Sequence, residues 1–301
     1  MNKTVFAHFS LFFANLIYAL NYTFAKDVMP DFIQPSGFIL LRVIGAVILF
    51  SISYFLFVRE KVKNQDLIRL AICGVFGVAI NQLLFFEGLN LTTPINAAII
   101  LTINPVLVIV ISFFILKESI TFRKGLGISL GIIGAATLIL NGGNFIGNAN
   151  FMLGNLFVFI NALSYGLYLV LAKPLMEKYH PITVMFYVFS FGLCYVLPFG
   201  YNELSVVNFS DLPSKIIWEV LFVVVCTTFI AYLLNSVALQ NLNPSTVSIY
   251  IYLQPVLASV FAIALGSDIL DMNKIITASI IFIGVYLVSV RPLKSRKQKL
   301  S

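Results

Sequence analysis

The chain has 301 residues, 60% of them hydrophobic and only 10% charged, with a formal charge of +7. A soluble chain of this length carries about 25% charged residues, so composition excludes an ordinary water-soluble globular protein. The mean hydropathy of +0.99 belongs to a chain whose surface is as apolar as its core.

A helical span needs roughly 20 apolar residues to cross about 30 Å of hydrocarbon. On that rule ten spans are expected, at about 6–26, 35–58, 67–89, 94–116, 122–140, 152–172, 182–200, 216–240, 244–266 and 273–290. All should be helices, because a backbone facing lipid must satisfy its own hydrogen bonds. The first run is too long for a signal-peptide core and lacks a cleavage motif, so it is read as a span. Most connections are short, as at 90–93 and 241–243. The exceptions are a Gly/Asn-rich linker at 141–151 and a longer, acidic loop at 200–215. Cys73, Cys194 and Cys226 lie inside apolar runs without metal-like spacing, and there are only two histidines. No metal or other cofactor is expected.

The chain makes one stretch twice. A shift of 150 positions lays Pro94 on Pro244, Pro105 on Pro255, Val106 on Val256 and Leu107 on Leu257. The register continues through Glu118 on Asp268, Lys124 on Lys274 and Gly134 on Gly284. A shift of 146 lays Pro35 on Pro181, and Asn15, Tyr18 and Tyr22 on Asn161, Ser164 and Tyr168. Residues 1–145 and 146–292 are therefore two five-helix repeats, followed by a basic tail at 293–301. Five is odd, so the second copy enters the membrane from the opposite side. The expected fold is all-α and integral to the membrane: ten transmembrane helices as two inverted-topology repeats. That arrangement lets a site at the repeat interface open alternately to either side.

Orientation follows from lysine and arginine. With the N-terminus in the cytoplasm, the inner segments carry fifteen of these residues, including Arg59, Lys61, Lys63, Arg69, Lys173 and Lys178. The outer segments carry three, Lys26, Lys215 and Lys274, while Arg42 falls within a span. Both termini are expected inside. Topology accounts for the positive charge, so no nucleic-acid partner is implied. The partners expected are a small-molecule substrate and the lipid bilayer, with the chain acting as a monomer or homodimer.

Residues able to serve transport lie within the spans. Pro105 and Pro255 each remove a helix hydrogen bond, freeing the carbonyls of Leu101 and Ile251. Asn104 and Gln254 stand beside these kinks, and Tyr250 shares a face with Gln254. Asn15, Tyr18 and Tyr22, with Asn161, Ser164 and Tyr168, form polar stripes at helical spacing. Polar stripes of this kind either line a site or hold helices together. The third span offers Asn81, Gln82 and Glu87, and the eighth Tyr232 and Asn235. The expected substrate-binding set is Asn15, Tyr18, Tyr22, Asn81, Asn104, Asn161, Ser164, Tyr168, Tyr232, Tyr250 and Gln254. Glu87, Arg42, Glu118 and Asp268 are candidates for coupling or gating, with Arg42 in reach of an anionic group or of Glu87. Gly127 and Gly131 have the spacing of a close-packing helix.

In these residues the chain resembles the EamA-type transporters of the drug/metabolite transporter superfamily. Arg42, Gly88-Leu89 followed by Thr92-Thr93-Pro94, and Pro105 with Glu118 and Gly127/Gly134 carry the resemblance. In the second half it rests on Ala238-Leu239, Pro244, Pro255 and Gly284. Asp268 departs from the family's usual Glu, and Thr277 and Ile281 stand where counterparts of Gly127 and Gly131 would fall. The resemblance implies a secondary carrier of small metabolites working without ATP, often an exporter of amino acids or related compounds, in a bacterial plasma membrane.

Fixed charge in mid-membrane is scarce, which favours a neutral, zwitterionic or amphipathic solute over a polyanion. An enzyme is disfavoured, because no HExxH, GxSxG or mid-span aspartate pair occurs. A channel or a non-transporting scaffold is the alternative, but neither half shows a ring of charges or a carbonyl-filter sequence. A reporter that is active only in the cytoplasm tests the orientation. Fused after residue 301 it should be active, and inserted in the 200–215 loop it should be silent. The opposite pattern reverses the assignment.

Overall fold

The computed structural model describes residues 3–116 and 149–266, with isolated residues between 126 and 133 and between 272 and 283. Among the described residues all regular structure is helical, and eight helices are long and apolar enough to cross a membrane. They are α1 (Lys3–Val28), α2 (Pro35–Val58), α3 (Asn64–Leu91), α4 (Pro94–Ile115), α5 (Asn150–Lys178), α6 (Pro181–Ser205), α7 (Ser214–Asn241) and α8 (Pro244–Ala264). The spans expected at 122–140 and 273–290 fall outside the continuously described residues. Glu118, Asp268, Gly131 and the basic tail lie outside them altogether.

Four helices begin on proline: Pro35, Pro94, Pro181 and Pro244. Proline suits the first helical turn, where no N–H partner exists and its fixed φ is already helical. These starts belong to the second and fourth helices of each repeat. The acidic loop expected at 200–215 is shorter than its sequence implies. Helix α6 passes Pro198 and runs to Ser205, where Glu203 accepts from the Gly37 backbone N–H at 2.8 Å. Only a short turn, Phe209–Asp211, separates it from α7.

Packing interleaves the two repeats. Helix α1 lies against α7 and α8, and its counterpart α5 lies against α3 and α4, while α2 packs along α6. Gly88 and Gly154 make the α3–α5 contact close. A Cβ on Gly88 would sit 2.7 Å from the Gly154 carbonyl oxygen, and one on Gly154 would sit 2.7 Å from Leu91 Cβ. Phe57, Phe114 and Trp218 face outward with about 70% or more of their surface exposed, 77%, 72% and 69% respectively. A bilayer covers such a belt at no cost in exposed polar groups.

Segments that share a side in the charge assignment also meet in space. Lys178 pairs with Asp66, which accepts from Tyr179 Oη at 2.6 Å as well. The His180 backbone N–H donates to Glu60 at 2.9 Å. At the other end Lys215 pairs with Asp27 at 2.7 Å.

Two lysines close the last turns of α3 and α7. Lys26 Nζ donates to the carbonyls of Leu89, Asn90 and Thr92 at 2.9, 2.6 and 3.1 Å. Lys173 Nζ donates to those of Leu239 and Gln240 at 2.9 and 3.3 Å. The lysines are 147 positions apart and the carbonyls 150. A cation at a helix C-terminus satisfies carbonyls left without N–H partners and complements the helix dipole. Hydrogen bonds to a charged group contribute about 1.5–3 kcal/mol. Lys26→Met is therefore expected to lower the melting temperature of the purified protein by several degrees, Lys26→Arg much less. The exposed control Lys61→Met should leave it unchanged.

Candidate functional site

The interior of the bundle holds a cavity enclosing about 670 Å³ of non-atom space, part of it open to solvent. Its walls come from seven of the eight helices and from both repeats.

Irregular backbone surrounds it. Helix α4 breaks at Thr102 and Ile103, whose N–H groups turn back to Ile99 and Ile100 at 3.0 and 3.1 Å. Helix α8 tightens at Tyr250–Tyr252. Both breaks lie just before the prolines that cannot donate to Leu101 and Ile251, and both of those residues line the cavity. Helices α3 and α7 instead widen, over Val75–Ala79 and Val223–Ile230. Wide turns shift the side chains that follow and recur at functional sites. Here they precede Asn81 and Gln82 on α3, and Tyr232 and Asn235 on α7.

Neutral hydrogen bonds tie the repeats together around the space. Gln82 Nε2 donates to Tyr232 Oη at 3.2 Å. These residues are 150 positions apart, so the contact joins one position of the repeat to its own copy. Tyr22 Oη donates to Gln254 Oε1 at 2.7 Å, and Gln254 Nε2 donates to Asn15 Oδ1 at 2.7 Å. Asn104 Nδ2 donates to the Ala162 carbonyl and Asn161 Nδ2 to that of Asn81, both at 2.6 Å.

Arg42 is 2% exposed and lines this cavity. Its Nε donates to Thr228 Oγ1 at 2.8 Å, and its guanidinium carbon lies 4.3 Å from the centre of the Phe86 ring. The pairing with Glu87 anticipated from sequence does not form. Glu87 instead accepts from Ser36 Oγ at 2.6 Å and lies off the cavity wall. Among the described residues no ion pair involves Arg42. Among the described residues, five polar atoms of the cavity lining are buried and find no partner: Asn21 Oδ1, Arg42 Nη1, Gln82 Oε1, Asn104 Oδ1 and Thr227 Oγ1.

Of the residues singled out from sequence, the cavity gathers Asn15, Tyr18, Tyr22, Asn81, Asn104, Asn161, Tyr232, Gln254 and Arg42. Three others stand elsewhere. Ser164 Oγ donates to the Phe76 carbonyl at 2.7 Å, joining α5 to α3. The Tyr168 ring packs on Gly77, where a Cβ would meet it at 2.5 Å. Tyr250 Oη meets His8 Nδ1 at 2.8 Å. Asn21, Phe85, Phe86, Tyr165 and Thr227 also line the cavity and were not singled out. Asn21 lies one helical step beyond Tyr18, so extending that stripe would have found it; Phe85, Phe86 and Tyr165 carry no signal apart from the general aromatic background.

The description of the EamA-like transporter family matches residues 5–140 and again 152–290. The uncharacterized transporter YyaM of Bacillus subtilis is 24% identical over 246 residues, covering 81% of this chain and 80% of its own. An uncharacterized transporter of Archaeoglobus fulgidus is 24% identical over 94% of this chain and 97% of its own. The probable terminal-alkyne amino-acid exporter of Streptantibioticus cattleyicolor is 23% identical, covering 79% and 78%. A solved crystal structure aligns with a TM-score of 0.66 over 94% of this chain and 96% of its own, at 18% identity, which is a likeness of fold. Two matches of one description, spread over helices that interleave around a shared cavity, make this multi-pass membrane protein a member of the EamA-like transporter family.

Proposed function

We propose that this protein is a secondary transporter that moves a small neutral, zwitterionic or amphipathic metabolite by alternating access. The observation that carries the reading is the central cavity. It is built from both repeats, lies beside paired helix breaks, and keeps buried polar atoms without partners in the protein. Such atoms are costly in a membrane interior unless a solute or water meets them in turn.

The substrate site is the set Asn15, Tyr18, Tyr22, Asn81, Asn104, Asn161, Tyr232 and Gln254. The two inverted repeats rock about the Gln82–Tyr232 contact, so the cavity opens first to one side and then to the other. The cavity is complete within one chain, so one chain is the working unit. The name of the Streptantibioticus relative favours an amino-acid-like solute and export. The plasma membrane is the expected location, with both termini cytoplasmic.

Counterflow in proteoliposomes tests this, with a panel of neutral amino acids and the corresponding amines. Preloaded solute should drive uptake. Asn104→Ala and Gln254→Ala should reduce exchange by about tenfold or more, since each removal leaves buried partners unsatisfied. Tyr250→Phe, away from the cavity wall, should remain close to wild type. Leak without trans-stimulation would replace the carrier with a channel, and no flux for any solute would remove the proposed substrate class.

A further inference from the structure

The cavity contains an arginine that makes no ion pair among the described residues. Arg42 is held on two sides. Thr228 accepts from its Nε at 2.8 Å, and Thr228 in turn donates to the Val223 carbonyl at 2.7 Å, at the start of the widened turn of α7. Phe86 covers a face of the guanidinium at 4.3 Å. These contacts fix the plane of the group and leave Nη1 buried without a partner among the described residues. A guanidinium presents its donors in a rigid fork that matches a carboxylate.

The opposite chemistry occurs in the same cavity. Asn104 Nδ2 donates to the Ala162 carbonyl, an atom able only to accept. That bond fixes the amide so that Oδ1 is the acceptor left over, buried and without a partner. Asn21 Oδ1 is in the same position. A ligand that satisfies the cavity therefore brings an anionic group to Arg42 and N–H donors to Asn104.

We propose that Arg42 is the carboxylate-binding residue of the transport site, and that the solute is a small zwitterion bearing one carboxylate and one amino group. This rests on the transporter reading and narrows it: a simple amine satisfies Asn104 but leaves Arg42 without a counter-ion. The repeat does not supply a second such group. The position 146 residues on from Arg42 is Val188, buried and apolar, so the carboxylate end of the solute has one address.

The test is a ligand series on the full chain in proteoliposomes, using L-phenylalanine, L-leucine, their carboxamides and the matching decarboxylated amines. Wild-type counterflow should favour the amino acids over the carboxamides and amines by at least about tenfold. Arg42→Gln should raise the half-saturating concentration for the amino acids and bring the preference to within about twofold. Arg42→Lys, which keeps the charge without the fork, should fall between them. Exchange of amines or carboxamides as good as that of amino acids would overturn the proposal while leaving the carrier standing. An unchanged preference in a folded Arg42→Gln would overturn it too. Absence of exchange for every solute of the series would remove this proposal together with the amino-acid-like substrate class, and leave a carrier of some other solute. If Arg42→Gln does not fold, the wild-type series alone decides.

Discussion

A peptide group in hydrocarbon must find its hydrogen-bond partner inside the protein, and this structure is arranged around the places where the helices fail to provide one. Regular helix meets the constraint along most of every span. It fails in two pairs of places: the breaks of α4 and α8 before Pro105 and Pro255, and the widened turns of α3 and α7. Each pair is related by the repeat; three of the four places contribute to one cavity wall, and the widened turn of α3 ends just before Asn81 and Gln82, which line it. The cost of irregular backbone is confined to a site where other polar groups can meet it. The same concentration explains the polar side chains. An ionised side chain at the centre of a bilayer costs about 2.5–3.5 kcal/mol on insertion scales, and Arg42 lies on that cavity wall rather than against lipid.

The repeat builds a symmetric frame and an asymmetric site. Gln82 and Tyr232 occupy equivalent positions and touch. Elsewhere, equivalent residues part company. Tyr22 reaches Gln254 across the cavity, while its copy Tyr168 is pressed onto Gly77. Tyr18 lines the cavity, and its copy Ser164 joins two helices. A symmetric site would bind a symmetric solute. The divergence between copies gives the cavity distinguishable ends, with a guanidinium toward one and amide oxygens elsewhere.

These differences show where sequence is informative. The repeat, the proline starts and the spans are read from spacing, because period and proline constrain backbone directly. Asn104 and Gln254 were accessible for the same reason, as amides fixed next to a kink. Polar stripes are less decisive, since the same spacing serves a cavity and a helix–helix bond. Asn161 and Ser164 lie on one stripe, yet one lines the cavity and the other does not. Arg42 was ambiguous for a physical reason: its long stem can carry the charge to the interface or fold it inward. Which occurs depends on Thr228 and Phe86, which are distant in sequence and carry no mark of their role. The length of α6 was also hidden, because Pro198 and Glu203 look like a loop until Gly37 supplies the contact that extends the helix.

The distribution of bond strengths bears on the proposed rocking. Within each repeat, a half-buried lysine grips backbone carbonyls: Lys26 at the end of α3 and Lys173 at the end of α7. Hydrogen bonds to a charged group contribute about 1.5–3 kcal/mol, against about 0.5–1.5 for neutral ones. Between the repeats, the buried contacts are mostly neutral amides and hydroxyls, as in Tyr22–Gln254 and Asn161–Asn81, with Arg42 on Thr228 a charged exception. Among the described residues the ion pairs between repeats, Lys178–Asp66 and Lys215–Asp27, lie at opposite ends with exposed lysines, near the backbone contacts of Glu60 and Glu203. Ion pairs with that exposure contribute about 0–1 kcal/mol. Apart from these few charged contacts, the individual bonds between repeats are weaker than the lysine grips within them. Moving one half against the other exchanges weak bonds at the centre and opens one surface pair while the other can stay closed. A molecule held the other way round, rigid between halves and loose within them, would deform its cavity instead of changing which side it faces.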